Sequence, residues 1–217
     1  EQYVQTLTHE LKSPLAGIRA ASELLQSPMS EAQQQKFLAN IESESLRLQQ
    51  LIERLLNLAL VEQQQSLQAP QKMLLKPLIE SLLHTRSARV IKQNIQLQLM
   101  LDENAEIYGE KFLIEQALLN LLDNALDFTP AGGTIRVTTL LTDKAWTITV
   151  TNHGEPVPDF AIPRLTERFF SLPRPDTGRK STGLGLSFVQ EVMNLHQGEL
   201  QLQNTQDGVN ASLRFPH

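Results

Sequence analysis

Cysteine is absent from all 217 residues, so disulfides and thiolate metal sites are excluded, and a reducing compartment suits the chain. Aromatic residues are few, at 5%, but 41% hydrophobic and 20% charged residues make a globular composition. No apolar run approaches the ~18 residues that would span a bilayer, and no signal-peptide pattern opens the chain, so as it stands it reads as soluble. A basic stripe is missing too. With a formal charge of −5 there is no clustered Lys and Arg of the kind that binds a nucleic-acid backbone. The length suffices for one large domain or two modest ones, each burying its own core. Glu1 already lies inside a helical pattern, from which we expect a piece of a longer protein, with a membrane anchor in the part not included.

Two periodicities divide what is present. Val4, Leu11, Ile18 and Leu25 recur at seven-residue spacing beside Leu7, Pro14 and Ala21, which makes a helix seam. Ser27-Pro28-Met29 interrupts it, and Ser30 with Gln33 reads as a capping box that opens a second helix. There Ile41, Leu48 and Leu55 repeat the pattern beside Leu51 and Leu58, with Glu44 falling on the second row. The apolar faces of such a hairpin are too extensive to cover alone, which implies pairing with a second copy in an antiparallel four-helix bundle. Residues 1–66 are thus expected to form a dimerising helical hairpin, 67–72 a linker, and 73–217 a second domain.

Beyond Pro70 the spacing predicts a helix near Pro77 to Val90, a strand near Ile95 to Leu101 and a helix from about Glu110 to Asp127. Strands follow near Thr134 to Leu141 and Trp146 to Thr151, then an irregular segment from Glu155 to Thr182. A helix from about Leu184 to His196 and strands at Glu199 to Gln203 and Ala211 to Phe215 complete the chain. Helices gathered beside an antiparallel-rich sheet predict an α+β sandwich, so the whole is a multidomain α and α+β protein.

Three short runs carry chemistry. His9, in Thr8-His9-Glu10-Leu11-Lys12-Ser13-Pro14-Leu15, falls two positions after Leu7 and so points away from the seam. A neutral imidazole is nucleophilic, and Glu10 can take a proton from one ring nitrogen while the other attacks phosphorus. Pro14 removes the backbone hydrogen bond to the carbonyl of Glu10 and loosens the helix there. Ser13 lies one turn after His9 on the same face, where a hydroxyl can orient water. Alone, His-Glu is a common surface pair. Asn120 and Asn124 share a helix face, and their amide oxygens suit Mg²⁺, which keeps several waters while bridging phosphates. Gly183-Leu184-Gly185-Leu186 precedes a helix, so the backbone can approach an anion and offer unpaired N–H groups to it. His84, His153, His196 and His217 have no ligand-like spacing.

Taken in order, these runs resemble the boxes of the sensor histidine kinases of two-component signalling, along essentially the whole chain. Thr8 to Leu15 looks like the H box, Asn120 to Ala125 the N box, Arg168-Phe169-Phe170 the F box and Gly183 to Leu186 the second glycine box. The wording Asp123-Asn124-Ala125-Leu126-Asp127-Phe128-Thr129-Pro130 and Glu167-Arg168-Phe169-Phe170-Ser171-Leu172-Pro173-Arg174 is most similar to CreC-type members. The resemblance implies a phosphotransfer hairpin followed by a Bergerat (GHKL) ATP-binding α/β sandwich. It implies His9 as phosphoacceptor, Asn124 as principal Mg²⁺ ligand with Asn120 beside it, and ATP held also by Asn152, Gly154, Arg174, Lys180, Thr182, Gly183, Leu184, Gly185 and Leu186. The implied partners are a second copy and the receiver domain of a response regulator, CreB-like if the closer resemblance holds. The implied place is the cytoplasmic side of an inner membrane. Relatives with Thr or Asn at the position of Ser13 often act as phosphatases toward their regulators.

Two departures stand out. The first glycine box, usually Asp-x-Gly-x-Gly, is here Asn152-His153-Gly154-Glu155-Pro156, which replaces a charged acceptor with an amide and a glycine with a stiff residue. Asp127 stands where many relatives direct a lysine to the phosphates, and Arg174, Arg179 and Lys180 are candidates to compensate. The reading that follows is an ATP-dependent protein-histidine kinase core. Its rivals are another ATPase or serine kinase on the same fold, and a nucleotide-impaired or phosphatase-biased signalling scaffold.

Overall fold

A computed structural model describes residues 2–216 apart from Lys144, Asp176, Thr177, Arg179 and Lys180, with backbone alone at 2–4. The chain forms two compact units, Glu1–Ala59 and Leu60–His217.

The first unit is a hairpin of α1 (Gln2–Leu24) and most of α2 (Glu31–Gln63). Leu7, Leu11, Pro14, Ile18 and Ala21 turn inward at three- and four-residue spacing, and so do Ile41, Leu48, Leu51, Leu55 and Leu58 on α2. Ala21, Leu51 and Leu58 are each 2% exposed. The helices approach closely at Gly17, where an added methyl would stand 3.3 Å from Glu44 Cγ. The capping box is formed: the Ser30 backbone N–H donates to Gln33 Oε1 (3.1 Å), and the Gln33 N–H donates to Ser30 Oγ (3.3 Å). Leu15, Leu24, Leu38, Leu46, Ile52 and Leu56 remain exposed on this unit.

In the second unit a five-stranded sheet runs β2 (Gln96–Met100), β4 (Thr134–Thr142), β5 (Ala145–His153), β7 (Gly208–Pro216), β6 (Glu199–Thr205). Only the β2–β4 pair is parallel. Trp146, Ile148, Val150 and Asn152 fall on one face of β5 and are buried, whereas Thr147, Thr149 and Thr151 on the other are half-buried. The buried face is covered by α5 (Lys111–Phe128) and α6 (Gly185–Leu195), and α3 (Leu75–Thr85) packs against α5. Leu113, Ile114, Ala117, Leu118, Leu121, Leu122, Ala125 and Leu126 of α5 are all buried, each large one contributing about 1.5–3 kcal/mol. This is the two-layer sandwich expected.

Three elements differ from expectation. The helix foreseen from Pro77 to Val90 is two, α3 and α4 (Ser87–Lys92), separated at Arg86, which leaves helical geometry at φ −104°, ψ 1°. Just before the break Thr85 Oγ1 donates to the Leu82 carbonyl (2.6 Å), a side-chain bond of the kind that competes with continued helix. β1 (Pro70–Leu74) begins inside the stretch expected to be linker, and pairs antiparallel with β3 (Glu106–Glu110), from Pro70 opposite Glu110 to Leu74 opposite Glu106. Among its described residues, the segment after β5 carries one short 3-10 turn, Ile162–Arg164.

Candidate nucleotide and phosphoacceptor sites

On α1 the inward stripe leaves His9 and Ser13 exposed and Glu10 half-buried. His9 and Glu10 are neighbours on the helix, and no hydrogen bond joins them. Pro14 is buried within α1, so its missing N–H leaves the Glu10 carbonyl without its usual helical donor.

In the second unit α5 is the organising element. Asn120 and Asn124 stand on its half-buried side with Asp123 and Asp127, all within two turns. Asn120 donates through Nδ2 to the Gln116 carbonyl (2.8 Å), which fixes the amide and leaves Oδ1 as acceptor. That oxygen meets the second glycine box: a methyl at Gly185 would stand 2.7 Å from Asn120 Oδ1. Gly183 has φ +63°, and a methyl there would lie 2.5 Å from the Phe169 carbonyl carbon. The Phe169 N–H in turn donates to the Gly183 carbonyl (2.9 Å), with Phe169 itself at φ +64°. The Phe box and the second glycine box are therefore joined backbone to backbone. Leu184 is buried, Leu186 and Thr182 are half-buried, and Ser187 Oγ donates to the Leu184 carbonyl (3.0 Å) at the start of α6. The first N–H groups of α6 have no acceptor within the helix and can receive an anion.

The first glycine box seats on the other end of α5. A methyl at Gly154 would stand 2.4 Å from the Phe128 carbonyl, and the Gly154 N–H donates to the Asp207 carbonyl (3.1 Å). Asn204 pins the following residues, accepting from the Val157 N–H (2.8 Å) and donating to the Val157 carbonyl (2.7 Å). Asn152 ends the inward row of β5, is 8% exposed, and its Nδ2 has no partner. A buried amide donor left unpaired costs about 1–3 kcal/mol, which a ligand atom can recover.

A charged cluster completes the site. Arg86 forks onto Asp123, Nε to Oδ1 at 2.8 Å and Nη2 to Oδ2 at 2.9 Å, and the Asp123 hydrogen bond holds Arg86 above its usual pKa. Arg89 bridges Asp123 Oδ1 (3.1 Å) and Asp127 Oδ1 (2.7 Å). Arg174 reaches from the irregular segment to Asp127 Oδ2 (2.6 Å). Across the base of that segment, Ser171 Oγ accepts from the Ser181 N–H (3.0 Å). Lys180, expected in the site, and Arg179 lie outside the described residues.

Sequence reasoning named Asp127, Arg174 and the Phe box, but it missed that Arg86, Arg89 and Asp123 join Asp127 and Arg174 in one cluster, and it missed three supports. Glu110 Oε2 accepts from Gln64 Nε2 (2.7 Å) and from the Gln68 N–H (3.0 Å), and Glu62, in the last turn of α2, pairs with Arg168. His196 Nε2 accepts from the Glu110 N–H (3.0 Å) while Nδ1 donates to the Val192 carbonyl (2.7 Å); burial pushes its pKa down. Asn152 was named from the first glycine box, not from its place in the inward row of β5.

The asparagines, glycine boxes and orphan amide suit a purine nucleotide with its phosphates. Comparison with known proteins agrees. Residues 109–217 match the model of the histidine kinase-, DNA gyrase B- and HSP90-like ATPases, and residues 1–64 that of the His Kinase A phospho-acceptor domain. The chain is 42% identical over 216 residues to the sensor protein CreC of Escherichia coli strain K12, covering 99% of this chain and 45% of that protein. It thus spans less than half the length of this curated relative. Among solved structures it is similar in fold to the histidine kinase ThkA in complex with the response regulator protein TrrA (TM-score 0.80, 21% identity, 100% of this chain and 61% of that one). It is also similar to full-length ShkA in complex with AMPPNP (TM-score 0.73, 22% identity, 99% of this chain and 45% of that one). Behind a His Kinase A phospho-acceptor domain, the chain belongs to the histidine kinase-, DNA gyrase B- and HSP90-like ATPase family.

Proposed function

We propose that this chain is the catalytic core of a sensor histidine kinase, which phosphorylates its own His9 from Mg-ATP and passes the phosphoryl group to an aspartate of a response regulator. The observation that carries the reading is convergence on α5: Gly185 against Asn120, Gly154 against Phe128, and Arg174 on Asp127. The nucleophile meanwhile stands exposed on a separate unit.

In the proposed reaction a ring nitrogen of His9 forms a bond to the γ-phosphorus as the bond to the departing ADP oxygen breaks, and Glu10 takes the proton from the other ring nitrogen. Asn124 and Asn120 would hold Mg²⁺, which supplies charge neutralisation on the phosphates. Asn152 would read the adenine through its amide, Gly154 would let the base lie close, and Thr182 to Leu186 would present backbone donors to the phosphates, with Arg174 and Lys180 as cations. Transfer to the regulator then breaks the N–P bond and forms an acyl phosphate; the 42% identity to CreC supports a CreB-like receiver domain. A second copy would cover the exposed apolar positions of the hairpin, including the open groove lined by Leu46, Leu48 and Ile52.

Among the described residues no helix is long and apolar enough to cross a membrane. We assign the core to the cytoplasm, where ATP is supplied, and any anchor on an inner membrane to sequence outside these residues.

Incubation with γ-labelled ATP and Mg²⁺ tests the reading. Acid-labile, base-stable label is expected on the wild type and none on His9→Ala, while both bind ATP within about twofold. Acid-stable label would point to a serine kinase, and no label to a scaffold. A second activity, dephosphorylation of the regulator, is read with ADP present: Ser13→Ala should keep His9 labelling and slow the decay. Equal decay rates, both faster than the regulator alone, would remove Ser13 from that activity.

A further inference from the structure

The cluster beside Asn124 has more arginine than it has carboxylate to match. Among the described residues Arg86, Arg89 and Arg174 converge on two carboxylates, Asp123 and Asp127, so one positive charge is left over in a partly buried cluster whose side chains are 13% to 40% exposed. Asp127 is the better buried of the two acids, with 13% of its side chain exposed, and its oxygens are divided: Arg89 holds Oδ1, Arg174 holds Oδ2. Arg89 lies on α4 and Asp127 on α5, both regular elements, whereas Arg174 lies on irregular chain. The acid is therefore the fixed partner and Arg174 the one being placed. Arg174 is also left incomplete, because its Nε is buried and has no partner among the described residues. A guanidinium with one oxygen contact and an unused donor gains from a further acceptor, and forked acceptors such as phosphates suit it best.

We propose that Asp127 is a positioning residue for phosphate recognition: its carboxylate, braced by Arg89, holds the Arg174 guanidinium on the Asn124 side of α5, where it meets the nucleotide polyphosphate. This rests on the proposed kinase reading and deepens it. An arginine on loose chain gives up much rotamer freedom when it grips a ligand, and tethering it beforehand removes that cost. The leftover positive charge offsets the repulsion that Asp127 by itself would exert on a phosphate. The pair thus does the work of a fixed cation although the helix position carries an acid.

Calorimetric affinities for Mg-ATP and for adenosine, which lacks phosphates, test this on the whole chain. Wild-type binding of ATP and labelling of His9 establish the kinase reading independently of the variants. Arg174→Ala should weaken ATP by about tenfold or more and leave adenosine unchanged. Arg174→Lys should recover only part, since it keeps the charge and loses the fork. Asp127→Asn should weaken ATP by a smaller factor, raise the KM for ATP in the labelling reaction, and add nothing to Arg174→Ala in the double variant. Where Asp127→Asn unfolds, as judged by its melting curve, Asp127→Glu shifts the carboxylate by one methylene and should show the same selective loss of ATP. Wild-type ATP affinity in Arg174→Ala would overturn the proposal. So would an additive double variant, or tighter ATP binding in Asp127→Asn, which would mean that the acid withholds Arg174 rather than presents it.

Discussion

The two units organise their chemistry in opposite ways. In the hairpin, the groups proposed to react stand on a surface: His9 and Ser13 are exposed, and what supports them is a stripe of side chains at helical spacing. In the ATPase unit the polar groups are recessed and their places are set by backbone approach, with Gly154 against the Phe128 carbonyl and Gly183 against Phe169. The first arrangement suits a nucleophile that must be visited by other bodies. The second suits a ligand that must be held in one pose. A periodic stripe survives many substitutions of similar size; a backbone contact at a glycine survives almost none.

The comparison is broken most forcefully inside α2. Leu51 is 2% exposed and Ile52 beside it 45%. Leu51→Glu should cost more than about 4 kcal/mol and unfold the hairpin, because it buries an unpaired charge. Ile52→Glu with Leu56→Glu should keep the helical circular dichroism and turn a dimer into a monomer by light scattering. A dimer that persists in the double variant would mean that the outward stripe is not the pairing face.

Asn124→Ala comes next. It should lower Mg²⁺-dependent ATP affinity by about tenfold or more while leaving light scattering unchanged. ATP binding that keeps its full Mg²⁺ dependence would remove Asn124 from the metal site and weaken the contrast between recessed and exposed chemistry.

Two alanine substitutions sharpen the contrast at matched cost to the sequence. Gly154→Ala should destabilise the ATPase unit by about 1–3 kcal/mol in thermal unfolding, since the obstacle is a backbone carbonyl 2.4 Å away. Gly17→Ala meets only the flexible Glu44 side chain at 3.3 Å and gains helix propensity, so the hairpin should change by less than about 1 kcal/mol. Equal effects would erase the distinction.

The smallest expected effect is acid sensitivity confined to the second unit. Burial keeps the folded-state pKa of His196 below its ordinary 6.5, so the unfolded chain takes up the proton first. The contribution of neutral His196 is complete above about pH 6.5 and declines as the pH falls through that value toward the lower folded pKa. His196→Gln should flatten this acid-side slope of the melting temperature. An unchanged slope would place the sensitivity elsewhere.

How much was legible follows the same division. Helical spacing alone located the seam, the capping box at Ser30 and Gln33, and the outward direction of His9, because an amphipathic helix is a local pattern. The boxes on α5 and before α6 were legible as motifs. What joins them was not. Arg86 and Asp123 are 37 positions apart, and Arg174 and Asp127 are 47 apart, so their pairing is a property of the sandwich and of no local window. β1 and β3 escaped notice because five-residue strands beginning or ending at Pro70 and Glu110 offer too little alternation, and their pairing satisfies backbone that the sequence leaves unmarked. The break at Arg86 was hidden by a run of residues that all tolerate helix.

Phe169 and Gly183 close on one thought about mutational tolerance. Both sit in the left-handed region, and each gives its partner a backbone contact, yet at 183 neighbouring backbone also occupies the place of a side chain. At 169 the strained conformation is borne by a residue with a side chain, so a library randomised there should return Gly and Asn readily among its functional survivors. At 183 the missing side chain is filled by the neighbouring backbone, so the same library should return glycine alone. A deep mutational scan of the pair would thus draw a lopsided map, permissive on the Phe box and closed on the glycine box, although the two residues share a single hydrogen bond.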